Sequence, residues 1–218
     1  MKTVLDISFW QDKANFDVMH LNGADGVILR AGQGSWEDKR FRQFRADAQK
    51  VMPFGSYWYY DNNYAPKRQA ELYASIIGDN YGTLGAWLDL EDSKIGSYGT
   101  WRHWADFIEY FKQFSSAPLG IYTRASYIDG KIQADKLPYF AKHPLWVAHY
   151  NALTPKIPKG WTDWLLWQYT DSGDGYAFGV GSREVDMNRY KGDIAPPPDN
   201  VSMLQAKFGD VSVEYKKV

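Results

Sequence analysis

The segment Ala86-Trp87-Leu88-Asp89-Leu90-Glu91-Asp92 sets two carboxylates two residues apart within an otherwise apolar run. In an extended strand alternate side chains share a face, so Trp87, Asp89 and Glu91 point one way while Leu88 and Leu90 point the other. The leucines then pack under a covering layer, and both carboxylates project from the strand's end. Such a pair suits general acid chemistry, in which one carboxyl holds a transferable proton and its neighbour stays ionised. A lone Asp-x-Glu is common, and a strand end can simply present acids to water; the motif gains weight only from company.

Other strand-like segments supply that company. Asp6 ends an apolar run and opens Asp6-Ile7-Ser8-Phe9-Trp10-Gln11; Tyr57 and Tyr59 share a face in Gly55-Ser56-Tyr57-Trp58-Tyr59-Tyr60; Asp186 and Asn188 share one in Val185-Asp186-Met187-Asn188-Arg189-Tyr190, at the end of the last strand. Acids gathered this closely repel, which predicts a raised pKa for at least one of them. The four histidines, His20, His103, His143 and His149, are scattered without metal-ligand spacing. His149 ends the sixth strand within reach of the acids, but a hydrogen-bonded structural role is expected of it, and no metal or other cofactor is expected. Gly32-Gln33-Gly34 lacks the lysine and helix that a phosphate loop requires.

The elements that must position these groups follow from hydrophobic periodicity. Strands are predicted at 3–7, 26–30, 53–60, 84–90, 119–122, 145–149, 165–169 and 184–188, and helices at 16–22, 37–51, 66–77 and 98–114. In the last helix Trp101, Trp104, Ile108 and Phe111 recur at helical spacing, which reads as packing against a sheet. Strand–helix alternation implies parallel strands with crossover helices. Beyond residue 148 the connections are rich in Gly, Pro and Asp, with no room for full helices. The expected fold is an α/β modified TIM-type barrel, whose active-site groups gather at the C-terminal ends of the strands. First and last strands are neighbours in a closed barrel, so Asp6 and Asp186 are expected side by side.

The 218 residues suffice for one large core, and residues 1–194 are read as one catalytic barrel. Pro196-Pro197-Pro198 marks a boundary, and residues 195–218 are read as a tail that docks on the barrel or on a second copy, too short for a separate domain. The chain is thus expected to be a monomer or a tail-mediated homo-oligomer. A net charge of -1 leaves no electrostatic footprint for nucleic acid, and no apolar run is long enough for membrane insertion. Cysteine is absent, which excludes disulfides, thiolate metal sites and cysteine nucleophiles. Ten Trp, 16 Tyr and 11 Phe are mostly core, with a minority available to stack on flat ligand faces. The N-terminus shows no signal peptide, so synthesis in the cytoplasm is expected, with action outside it only after release.

With these segments in place, the chain resembles glycoside hydrolase family 25, the lysozymes often found as phage endolysins. The resemblance rests on Asp6-Ile7-Ser8-Phe9-Trp10-Gln11, Gly26-Val27-Ile28-Leu29-Arg30-Ala31, Pro53-Phe54-Gly55-Ser56-Tyr57-Trp58-Tyr59 and Trp87-Leu88-Asp89-Leu90-Glu91. It continues through Gly120-Ile121-Tyr122-Thr123, Trp167-Gln168-Tyr169 and Val185-Asp186-Met187-Asn188, all in the family's order. It implies a (β/α)5(β)3 barrel and hydrolysis of the β-1,4 bond between N-acetylmuramic acid and N-acetylglucosamine in bacterial peptidoglycan. By position Glu91 matches the family's general acid, Asp89 its partner, and Asp6 and Asp186 the other acids of the cleft. Tyr57, Tyr59, Gln168, Trp87 and Asn188 are expected to bind substrate. Where family members often read Arg-Ala-Thr-x-Gly, this chain has Arg30-Ala31-Gly32-Gln33-Gly34, which removes a hydroxyl and is expected to loosen the loop.

The resemblance implies retention of configuration with the substrate's own N-acetyl group as nucleophile. Residue spacing leaves this open: roughly 6.5 Å between the two Cα atoms is compatible with both retaining and inverting separations. Two other readings remain. A chitinase-like barrel enzyme would carry an extended Asp-x-x-Asp-x-Asp-x-Glu series, but Thr83, Leu84 and Gly85 occupy that region. A non-catalytic wall-binding barrel would be expected to lose one of the acids, and all four are present.

Overall fold

The computed structural model describes residues 1–194; the proline boundary and the tail lie outside the described residues. Nine strands form one sheet: β1 (Lys2–Ile7), β2 (Gly26–Gln33), β3 (Trp36–Glu37), β4 (Phe54–Tyr59), β5 (Ala86–Asp89), β6 (Leu119–Thr123), β7 (Leu145–Ala148), β8 (Leu166–Asp174) and β9 (Glu184–Tyr190). The order β1-β9-β8-β7-β6-β5-β4-β2, with β1 also paired to β2, closes an eight-stranded barrel, and β3 hangs from β2 as a short antiparallel flap. Neighbours from β1 through β8 run parallel, whereas β9 is antiparallel to both β8 and β1.

The antiparallel β9 corrects one expectation. Asp186 sits near the start of the last strand, not its end, because a reversed strand brings its N-terminal half to the mouth where its parallel neighbours bring their C-terminal ends. The neighbour relation holds: Asp6 and Asp186 are direct register partners.

Helices follow the first five barrel strands, and the last three are joined without any. The helices α1 (Phe16–Leu21), α2 (Phe41–Ala48), α3 (Pro66–Ile77) and α4 (Trp101–Phe114) lie where periodicity placed them, though α2 is shorter than predicted. Residues 37–40 are diverted because the buried Asp38 carboxylate accepts from the amides of Phe9 (3.1 Å) and Arg40 (2.9 Å) and from Arg30 Nε (2.9 Å). A side chain committed to three such donors anchors a loop rather than a helix. The fifth crossover, absent from the predicted helices, consists of the four-residue helices Ala125–Ile128 and Leu137–Phe140, too short to show periodicity.

The barrel separates two cores. Outside it, Leu5, Ile7, Leu88, Leu90, Tyr73, Trp104, Phe107 and Phe111 join strands to helices. Inside, Val4, Ile28, Leu84, Trp87, Tyr122, Trp146 and Leu166 fill the lumen. Alternation along β5 decides which side chain enters which core, as the Leu/Trp/Asp pattern required. Tyr73 of α3 plugs into the barrel wall: its hydroxyl donates to the Ser56 carbonyl (2.9 Å) and accepts from the Trp87 amide (3.1 Å).

Gly32 is required by space, not by flexibility. A Cβ there would lie 2.4 Å from the Trp36 carbonyl oxygen and 2.5 Å from the Trp58 ring, and the β2–β4 register shifts at this point. The expected loosening of the loop is therefore replaced by close packing under the β3 flap.

Candidate active site

Alternating residues of the barrel strands stack in layers inside the lumen. A layer of rings centres on Trp146, which meets Tyr122 edge-on at 4.7 Å, Trp87 at 5.7 Å and Tyr57 at 6.1 Å between centroids. Gly120, register partner of Trp87, makes room for its indole: a Cβ there would come within 2.3 Å of the ring. Above this floor, at the mouth, a cavity of ≈ 120 Å³ is walled by Asp6, Asp89, Glu91 and Asp186 together with Tyr57, Tyr122, Tyr150, Trp146 and Gln168. All four acids singled out from sequence thus converge.

Asp6 is held by a polar frame. Its Oδ2 accepts from Gln168 Nε2 (3.0 Å) and Asn188 Nδ2 (2.8 Å). Asn188 also donates to the Val4 carbonyl (3.1 Å) and accepts from Trp146 Nε1 (2.7 Å). Gln168 Oε1 accepts from the hydroxyls of Tyr122 (2.8 Å) and Tyr150 (2.7 Å), which fixes its amide orientation. Burial raises the Asp6 carboxyl, and hydrogen bonds from Asn188, Gln168 and Asp186 pull it back. Asp186 is pushed up to about 9, first by burial and then by the charge of Asp6. Two facing carboxyls cannot both ionise cheaply, so the proton stays with Asp186 and is donated to Asp6.

Asp89 and Glu91 form the second pair. β5 ends at Asp89, but extended pairing continues for one residue, with the Leu90 amide donating to Tyr122 O (2.9 Å) and Thr123 Oγ1 donating to Leu90 O (2.8 Å). Glu91 therefore stays on the lumen side and nearer the mouth. The next acid, Asp92, serves the loop: it accepts from the amides of Asn62 (2.9 Å) and Lys94 (3.0 Å). Burial, then the charges of Glu91 and Asp6, push Asp89 well above the ordinary carboxylate range, with Arg30 opposing. Burial also raises Glu91, opposed by the charge of Arg124. Asp89 Oδ1 is buried without a hydrogen-bond partner among the described residues.

The remaining sequence-based site residues divide. Tyr57 and Gln168 line the cavity. Burial keeps the Tyr57 hydroxyl protonated and so a donor. Tyr59, at the end of β4, feels the charges of Asp89, Asp92 and Glu91 but does not line the cavity. Trp87 and Asn188 do not line the cavity. Trp87 is buried a layer below, its indole N–H bonded to Leu84 O (2.9 Å), and Asn188 is wholly buried as the brace of Asp6 and Trp146. Each lies on the face the alternation gave it, but one residue pair deeper than the mouth.

Sequence reasoning missed Tyr122, Trp146, Tyr150 and Arg30. The first was within reach, since Tyr122 follows Gly120 by two and is the register partner of Asp89. Arg30 is buried between Asp38, to which it is ion-paired at 2.9 Å, and the rings of Phe9 and Trp36. Tyr150 lies in a loop and carries no periodic signal.

The segment from residue 5 to residue 176 matches the model of Glycosyl hydrolases family 25. Lysozyme M1 of Streptomyces globisporus is 30% identical over 207 residues, covering 88% of this chain and 68% of that protein. Among solved structures, the bacterial lysozyme from Streptomyces coelicolor superposes with a TM-score of 0.73 at 25% identity, covering 88% of this chain and 93% of that one. The Clostridium perfringens spore cortex lytic enzyme SleM gives 0.69 at 26% identity, covering 92% and 68%. A closed barrel with four acids at its mouth and these likenesses lead to one assignment: the chain belongs to glycosyl hydrolases family 25.

Proposed function

We propose that this glycoside hydrolase is a muramidase that cleaves the β-1,4 bond between N-acetylmuramic acid and N-acetylglucosamine in bacterial peptidoglycan. The observation that carries the reading is the pairing of Asp89 and Glu91 in one small cavity, with Asp89 Oδ1 buried and unsatisfied. A buried acceptor without a donor is costly unless a ligand supplies one. The N–H of a substrate N-acetyl group is such a donor.

That hydrogen bond moves the proton. An N–H donated to Asp89 stabilises its ionised form and lowers its pKa, so the pair's proton passes to Glu91. Glu91, nearer the mouth, then protonates the leaving oxygen. Ionised Asp89 holds the acetamide so that its carbonyl oxygen attacks the anomeric carbon and expels the protonated leaving oxygen. Water, giving its proton to Glu91, then opens the resulting oxazolinium ring, and the two inversions give net retention. Asp6, locked by Gln168 and Asn188, and Asp186 beside it position the sugar and keep a fixed charge beneath it. The barrel of residues 1–194 is the catalytic unit.

Purified peptidoglycan tests the reading. The suspension should clear, and borohydride reduction of the new ends should yield muramicitol. Glucosaminitol instead would assign the opposite bond, and no new reducing ends would leave a binding barrel.

A further inference from the structure

A second cavity, ≈ 210 Å³, lies against the acid site and shares Tyr150 with it. Its volume equals roughly seven water molecules' share of liquid, enough for an amino-acid-sized group. Its floor is apolar, from the methyls of Ala125 and Ala148 and the Tyr150 ring, and its rim is basic, from Arg124, His149 and Lys156. Neither Arg124 nor Lys156 forms an ion pair within 4 Å among the described residues. The Lys156 amide donates to His149 Nδ1 (2.9 Å), so the ring proton sits on Nε2 and that nitrogen is a donor. Three donors above an apolar floor, in a chain of net charge -1, match a small group with an apolar body and an anionic end.

Resting on the muramidase reading, we propose that this cavity seats a carboxylate of the peptide stem carried on the muramic sugar. The sugar whose anomeric carbon reacts beside Asp89 and Glu91 bears the lactyl arm to which the stem is attached. Tyr150 lines both that position's cavity and the one with the basic side chains. The stem's amide-linked lactyl group is uncharged, so the anion must come from further along the peptide. Arg124 already feels the charge of Glu91, but a neutral glycan would bring no counter-charge to Lys156.

The test uses soluble peptidoglycan strands with native stems and the same strands with stem carboxylates converted to primary amides. For the wild type, amidation should lower kcat/KM by about threefold to tenfold, the range of one partly exposed charge-assisted contact. Lys156→Glu should lower kcat/KM on native strands by at least as much, with Lys156→Gln between, and amidation should then cost these variants little further. The native-strand advantage should shrink with added salt. Binding of the Glu91→Gln protein to a monomeric muropeptide, native against amidated, gives the same ordering without turnover, so a failed lytic reading is distinguished from a failed pocket. Equal losses on both substrates, or no effect of amidation on the wild type, would overturn the proposal and give the cavity to the neutral glycan.

Discussion

Asp6 and Asp186 stand opposite each other across the antiparallel β1–β9 pair and share one proton, held by Asp186. The proton belongs to the folded state. Asp186 is raised from 3.8 to about 9, so folded protein binds it more tightly than unfolded chain does. Stability tied to this group is therefore full below about pH 4 and lost as pH rises towards 9. Asp186→Asn keeps a donor to Asp6 without a proton to lose. Its Tm should exceed that of the wild type by roughly 2–5 °C near neutrality, and the gap should widen between pH 5 and pH 8. A gap that narrows over that range contradicts the shared proton.

Asn188 braces Asp6, Val4 O and Trp146 at once. Asn188→Ala strands the Trp146 N–H in a dry interior and leaves Asp6 Oδ2 to Gln168 alone. Denaturant unfolding should show a loss of about 2–3 kcal/mol, with kcat lowered because Asp6 loses its position. Full stability in the variant would mean that water replaces the brace.

The pH dependence of kcat/KM should be bell-shaped, since turnover needs one proton on the Asp89–Glu91 pair. Burial raises both carboxyls, joined for Asp89 by the charge of Glu91 and for Glu91 by that of Asp6. Activity should thus climb through the first ionisation and fall through the second, with both limbs above the ordinary carboxylate value of about 4. An acid limb at or below that value counts against the buried pair.

Asp89→Asn and removal of the substrate's N-acetyl group should disable the same step. Each alone should cost at least about 10²-fold in kcat, and together they should cost little more than either. Multiplying losses in the double cycle would separate Asp89 from the acetamide.

Strand order in the chain and alternation within β5 made most of the barrel and all four acids legible beforehand. Asp6, Asp89, Glu91 and Asp186 needed only a period of two and a closed sheet. The direction of β9 was not legible, because a loop without a helix permits either a hairpin or a crossover, and Asp186 was placed at the wrong end of its strand. Depth along a strand was likewise hidden. Trp87 and Asp89 share a face, yet one is floor and the other wall, and two residues of rise decide it. Arg30 and Asp38 form their buried pair through a flap that reads as the start of a helix. Tyr150, His149 and Lys156 come from the long helix-free connection after β7, where no periodicity exists to be read, and Arg124 from the turn after β6.

The most direct test is Glu91→Gln, which removes the transferable proton and keeps the side chain's shape. Initial rates of reducing-end release from peptidoglycan should drop by at least about 10²-fold, while Tm and sedimentation with intact cell walls stay near wild type. Activity within a few fold of wild type, in a folded and wall-binding variant, would contradict Glu91 as the proton donor and with it the catalytic account.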